Sequence, residues 1–176
     1  MRPDLKNWCP NMSETDVLEK LTEEGIDILS CMQCGICSGS CPSGRHISLN
    51  VRRLVRKACK NMDMLSDDEL WMCTTCYTCQ ERCPRGISIT DAILKIRTIA
   101  VHEGNILPEH GKVSQLLMEY GHAVPINEEN MKLREEMGLQ PLPETVHSDP
   151  DALEEVKKLI ESCGFDKLIP ETEQEA

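Results

Sequence analysis

Aromatic residues are almost missing: Trp8, Trp71, Tyr77, Tyr120 and Phe165 are all that 176 residues provide. Aromatic side chains dominate the buried area of ordinary cores. A chain this poor in them needs another source of cohesion, and small proteins short of core area turn to disulfides or metals. Apolar runs approaching the ~20 residues of a membrane-spanning helix are also absent, and the opening MRPDLKNWCPNMSE has no signal-peptide-like apolar stretch. The expectation is a cytoplasmic protein with no membrane span. A third gap is local. Residues 31–62 contain no Asp or Glu, yet they hold Arg45, Arg52, Arg53, Arg56, Lys57 and Lys60 in a chain of net charge −11. That net charge argues against a nucleic-acid partner. The acids gather toward the end, fourteen against five bases from residue 127 onward.

Cysteine, by contrast, is abundant, with eleven residues. In a reducing cytoplasm, dense cysteine points to metal rather than to disulfides. Eight of the eleven form two copies of C-x2-C-x2-C-x3-C-P: CMQCGICSGSCP at 31–42 and CTTCYTCQERCP at 73–84. Each copy has a glycine two residues past its proline (Gly44, Gly86), then Ile47 or Ile87. Zinc takes four ligands per ion, and zinc ribbons pair two separated CxxC knuckles. The repeated pattern oversupplies zinc and suits two iron–sulfur cubanes. In two-cluster ferredoxins the fourth cysteine of each run ligates the other run's cluster. Applied here, one [4Fe–4S] cluster takes Cys31, Cys34, Cys37 and Cys83, and the second takes Cys73, Cys76, Cys79 and Cys41. Gly35 and Gly39, with Ser38, Ser40, Thr74, Thr75 and Thr78, are expected to permit close backbone approach and to hydrogen-bond the sulfurs. Such bonds, with burial and charge, set a cluster's potential.

Around the repeats the apolar period is helical. Val51, Leu54, Val55 and Ala58 share one face, with the basic residues largely off it. Capping boxes are expected at Ser13/Asp16, Ser66–Glu69 and Ser88–Asp91. The first opens a helix through Val17, Leu18 and Leu21 that stops near Gly25, the second a short helix carrying Trp71 and Met72, the third a helix with Ile89, Ile93, Ile96 and Ala100 inward. Val113, Leu116, Leu117 and Tyr120 mark a further helix closing at Gly121. Asp149 and Pro150 begin the last one, through Leu153, Val156, Leu159 and Ile160 to Gly164. Alternating β patterns are hard to find, so the fold class is all-α. The expected divisions are a helical extension over 1–27, a dicluster core over 28–104, a second helical extension over 105–165 and an acidic tail over 166–176 that is disordered when free.

The insert between the motifs resembles the α-helical ferredoxin domain of succinate dehydrogenase and fumarate reductase iron–sulfur subunits. Their plant-type C-x4-C-x2-C spacing is missing here. The sequence is more similar to the C-type iron–sulfur subunit family of methanogen heterodisulfide reductases, through CMQCGIC…CP, the basic helix, WMCTTCYTC…CP and the Ile/Arg-rich helix after it, over about residues 5–125. That resemblance implies an electron relay. A partner that contains flavin and iron–sulfur clusters (the A-type subunit of the family) would supply electrons that start in a hydrogenase or formate dehydrogenase. A catalytic partner (the B-type subunit) would reduce the coenzyme M–coenzyme B disulfide. The catalytic partner uses CCG motifs; none occurs here, so no catalytic residue is expected in this chain. The alternatives are a relay subunit of another flavin-linked enzyme, such as a fumarate reductase, and a free dicluster ferredoxin.

Three cysteines stand outside the motifs. Cys59 and Cys163 are expected as buried small hydrophobes, and Cys9 as an interface residue. Met32, Met62, Met64 and Met72 are expected to fill gaps near the clusters. The five histidines have no ligand spacing.

Overall fold

The apolar stripe of the basic segment folds as the sequence predicts. In helix α3 (Val51–Cys59) the residues Val51, Leu54, Val55 and Ala58 are at most 3 % exposed, while Arg52, Arg53 and Arg56 face solvent. Asn50 caps its start by accepting from the Arg53 N–H. Asn61, in the left-handed region at φ 48°, ends it, with the Met62 N–H returning to the Lys57 carbonyl. The Asn61 side chain also accepts from the Val17 N–H at 2.9 Å, so the end of α3 caps the start of α1 (Val17–Glu23). Helix α1 closes on Gly25, whose positive φ lets the Ile26 N–H reach the Leu21 carbonyl.

The computed structural model describes residues 16–169, and among them there are helices and 3-10 turns but no β-strand. The chain divides into two compact units, residues 1–105 and 106–176. In the first unit, α1, α3 and the long α5 (Ile89–His102) enclose an apolar cluster that includes Val17, Leu21, Leu54, Met64, Leu70, Ile93 and Ile96. Two short helices, α2 (Ile36–Ser40) and α4 (Thr78–Glu81), pack on each other at the edge of that cluster. Each carries the third cysteine of its motif.

Two of the three expected capping boxes do not form as such. Ser13, of the first box, lies outside the described residues; Asp16 caps α1 by accepting from the Glu19 N–H at 2.9 Å, beside Asn61. The stretch after Ser66 is a 3-10 turn, Asp68–Met72, without a side-chain cap. Its carboxylates are taken by long-range cations, Asp67 by Lys57 and Glu69 by Arg53. Ser88 precedes α5 but makes no capping bond. Asp91 instead accepts from Gln80 at 3.0 Å and from Tyr77 at 3.2 Å.

In the second unit, α6 (Pro108–Tyr120), α7 (Glu128–Glu136) and α8 (Pro150–Ser162) are held mainly by their ends. Gly121 closes α6 at φ 65°, Asn127 caps α7, and Asp149 caps α8 by accepting from the Asp151 and Ala152 N–H groups. The apolar stripes of α6 and α8 are helical as expected but not buried: Val113 is 46 %, Leu117 37 % and Leu159 67 % exposed.

The two units should therefore respond differently to truncation. Leu54→Ala should destabilise the isolated anaerobic protein by about 2–5 kcal/mol, the cost of a cavity in a packed core. Leu159→Ala should stay within about 0.5 kcal/mol. Urea denaturation followed by circular dichroism reads both.

Candidate metal centre

The two cysteine motifs adopt the same backbone. Gln33 and Thr75, each two residues past the first cysteine, lie at φ 58° and 51°; Gly35 and Tyr77, each four past it, lie at φ 83° and 60°. Alternating left-handed residues curl a chain into a concave nest whose N–H groups face inward, an arrangement suited to anions. Only Gly35 takes this conformation without cost. Tyr77 holds it with its hydroxyl tied to Asp91. Exposure repeats too: Cys34 and Cys76 are exposed, Cys37 and Cys79 buried, Cys31 and Cys73 intermediate.

Each fourth cysteine stands with the other motif's triplet. One cavity is lined by Cys31, Cys34 and Cys37 together with Cys83, and by Gly35, Arg52 and Arg85. Burial pushes the Cys37 thiol up, opposed by the Ser38 N–H and reinforced by neighbouring Cys79, Cys31 and Cys34. Burial likewise raises Cys79, against a contact with the Thr90 hydroxyl at 3.6 Å, and the neighbours that add to the rise are Cys73, Cys76 and Cys41. Cys41 thus belongs to the surroundings of the second triplet and Cys83 to those of the first. Exposed Cys76 shifts the other way, lowered chiefly by hydrogen bonds from the Thr78 side chain and backbone, with Thr74 helping. All ten described cysteines are free thiols. Among the described residues no three His, Cys, Asp or Glu side chains converge closely enough to hold a single ion. A cubane presents its irons at separate corners, so its thiolates stand farther apart than the ligands of one zinc ion. Free thiols on inward-facing nests are a donor set that fits [4Fe–4S] clusters.

Other side chains complete the surroundings. The Gln33 backbone and side-chain nitrogens both approach Cys31 Sγ, at 3.4 and 3.3 Å, and the Gly44 N–H approaches Cys41 Sγ at 3.3 Å. A Cβ on Gly44 would meet the Leu49 carbonyl oxygen at 2.7 Å, whereas a Cβ on Gly39 would meet nothing. Gly44 is therefore required by the backbone that packs against it. Ser38 accepts from the Arg52 N–H and donates to Asn50, and Ser40 accepts from Arg82, so these hydroxyls brace the loop rather than the sulfurs. From α5, the Arg97 guanidinium donates to the Leu70 carbonyl at 2.9 Å and the Cys73 carbonyl at 2.7 Å while stacking 5.6 Å from the Trp71 ring centre. Burial pushes Arg97 down from its ordinary value and the nearby Cys73 thiolate pulls it back up. Sequence reading missed Gln33, Thr90 and Arg97, because their partners lie in the backbone or across the fold.

The remaining sulfur residues divide. Cys59 is half-buried and donates to the Ile28 carbonyl at 3.1 Å, on the turn that leads into Cys31. Cys163 is exposed rather than buried, because the second unit offers little core at the end of α8. Met64 is fully buried, but Met32 is 59 % exposed beside Cys34 and fills no gap. Cys9 lies outside the described residues.

Residues 27–87 match the family model of a 4Fe-4S dicluster domain. Three relatives extend the likeness beyond that domain, and each is the C-type subunit of its enzyme. The chain is 62 % identical over 159 residues to that of the ferredoxin/F420H2-dependent CoB–CoM heterodisulfide reductase of Methanosarcina acetivorans, covering 90 % of this chain and 98 % of the relative. It is 60 % identical to that of the ferredoxin:CoB–CoM heterodisulfide reductase of Methanosarcina mazei, over 91 % and 99 % of the two chains. It is also 49 % identical to that of the H2:CoB–CoM heterodisulfide,ferredoxin reductase of Methanothermobacter thermautotrophicus, over 86 % and 83 %. No described helix is long and apolar enough to cross a membrane. With two [4Fe–4S] clusters in a helical dicluster domain and this identity along most of its length, the chain belongs to the C-type iron–sulfur subunit family of CoB–CoM heterodisulfide reductases.

Proposed function

We propose that this chain relays electrons within a cytoplasmic heterodisulfide reductase. They would enter from the A-type partner, which contains flavin and iron–sulfur clusters, and leave to the catalytic B-type partner, which reduces the coenzyme M–coenzyme B disulfide. The electrons would originate in a hydrogenase or formate dehydrogenase; relatives are named for ferredoxin, F420H2 and H2. The observation that carries the reading is a 4Fe-4S dicluster domain in a chain 62 % identical to a C-type relative over 90 % of its residues. Each cluster, when bound, takes up and releases one electron.

The chain's own part is to hold and tune. We assign Cys31, Cys34, Cys37 and Cys83 to one cluster and Cys73, Cys76, Cys79 and Cys41 to the other. The common cavity of the first set and the electrostatic neighbours of Cys79 support the assignment. The exchange locks α2 against α4 and keeps the two centres adjacent. Buried Cys37 and Cys79 exclude water on the inner side, while Cys34 and Cys76 bring each centre to the surface where a partner can approach. Residues 28–104 hold every element this needs, and we assign the relay to them.

Purification under anaerobic conditions, with the associated subunits, should yield a complex that reduces the coenzyme M–coenzyme B disulfide and not fumarate. A chain that purifies alone and serves unrelated enzymes would overturn the relay reading. The protein should contain about eight irons and about eight sulfides. Oxidative removal of the clusters should lower helicity and open residues 31–50 and 73–88 to proteolysis, because cluster binding is part of folding. Cys83→Ser should perturb the same electron paramagnetic resonance signal as Cys34→Ser, and Cys41→Ser the same signal as Cys76→Ser. The opposite pairing would refute the exchange.

A further inference from the structure

Among the described residues, Arg97 is placed unlike any other cation of the first unit. It projects half-buried from α5, with Nε donating to the Leu70 carbonyl, a terminal nitrogen donating to the Cys73 carbonyl and the Trp71 ring against it. Among the described residues no carboxylate lies within ion-pair distance of it, whereas Arg53, Lys57 and Lys95 each have one. A half-buried guanidinium without a carboxylate keeps its positive charge for the sulfur of Cys73 beside it, partly shielded from solvent, where charges act more strongly than in water. Its anchor is the backbone of Cys73, the first cysteine of the second motif.

The other triplet lacks an equivalent. The cations lining its cavity, Arg52 and Arg85, are exposed, so water and salt screen them. The repeats share their left-handed backbone positions and the burial of their first three cysteines, and Arg97 breaks that symmetry.

We infer that Arg97 sets the potential of the cluster led by Cys73 above that of the cluster led by Cys31, making the former the downhill receiver of each electron. This rests on the relay reading above. Two effects act in the same direction. The positive charge favours the reduced form, which carries one more negative charge. The hydrogen bond to Cys73 pairs the carbonyl oxygen of that ligand residue, which would otherwise present its negative end unpaired. In the transfer, one electron leaves the Cys31-led cluster, which is oxidised, and reduces the Cys73-led cluster; no bond or proton moves. Arg97 is bonded to the Cys73 backbone and acts as a positioning and charge-setting residue through it.

Redox titration followed by electron paramagnetic resonance tests this on the intact complex. Arg97→Gln should lower the reduced-to-oxidised ratio of one cluster about tenfold at fixed potential, a shift of about 59 mV for one electron. The shifted signal should be the one that Cys76→Ser perturbs; the other should keep its ratio within about threefold. Arg97→Lys, which keeps the charge, should restore most of the ratio. Equal shifts in both clusters, no shift, or a Lys variant as affected as the Gln variant would overturn the inference. Where Arg97→Gln fails to take up iron, Trp71→Leu opens one face of the guanidinium to water, and it should move the same signal the same way by about threefold; an unmoved signal refutes the inference. Iron and sulfide content, with the signal that Cys83→Ser perturbs, separately tests the cluster pairing, so the two readings fail on different measurements.

Discussion

The first unit depends on placing sulfur-rich anions at the edge of a small core that almost no aromatic side chain helps to build. Thiolate clusters must be held by backbone that turns its N–H groups toward them, and a regular helix cannot do this because its N–H groups are already committed. The chain answers with left-handed residues at matching places, Gln33 and Gly35 in one motif and Thr75 and Tyr77 in the other. Everything around these loops fixes their ends. The α3 stripe packs beneath the first, Arg97 grips the entry to the second, and Gln80 joins α4 to the start of α5 by accepting from the Thr90 N–H and donating to Asp91.

The basic run fits the same constraint. It lies on α3, whose apolar side is buried and whose arginines are exposed, so part of it is an ordinary wet face. Arg52 is different: it reaches Gln33 and packs within 3.6 Å of where a Gly35 side chain would begin. Lys57 and Arg53 turn instead to Asp67 and Glu69 and tie α3 to the turn that precedes the second motif. One helix thus contributes cations both to a cysteine loop and to the link between the loops.

Much of this was legible in one dimension. The cysteine spacing carried the cofactor, the 3.6-residue period carried α3 and α5, and Asp149–Pro150 marked the start of α8. The failures share a cause, which is competition from residues distant in sequence. Ser66–Glu69 reads as a capping box until Lys57 and Arg53 claim its carboxylates. Asp91 reads as one until Gln80 and Tyr77 do. The α1 cap is improved by Asn61, 44 residues away. Aligning the repeats sets Gly35 against Tyr77, and that pairing was a readable sign that position four needs the left-handed region. Arg97 left no such sign, because its acceptors are carbonyls, which every residue owns.

The second unit shows what the clusters replace. Its helices begin and end correctly, with Asn127 and Asp149 as caps and Gly121 and Gly138 as stops. Caps contribute only about 1 kcal/mol each, and most helical stability in proteins comes from packing an apolar face. Here Leu133, Met137, Leu139, Leu142 and Leu159 are all more than 40 % exposed. In the first unit even shorter helices, α2 and α4, each carry the third cysteine of a different motif, and metal binding supplies folding free energy that side-chain burial alone would not. The two units therefore meet the same shortage of aromatic area differently, the first with metal and the second with helix ends. By that reasoning the second unit lies at the low end of the chain's local stability and opens before the cluster-bearing core does.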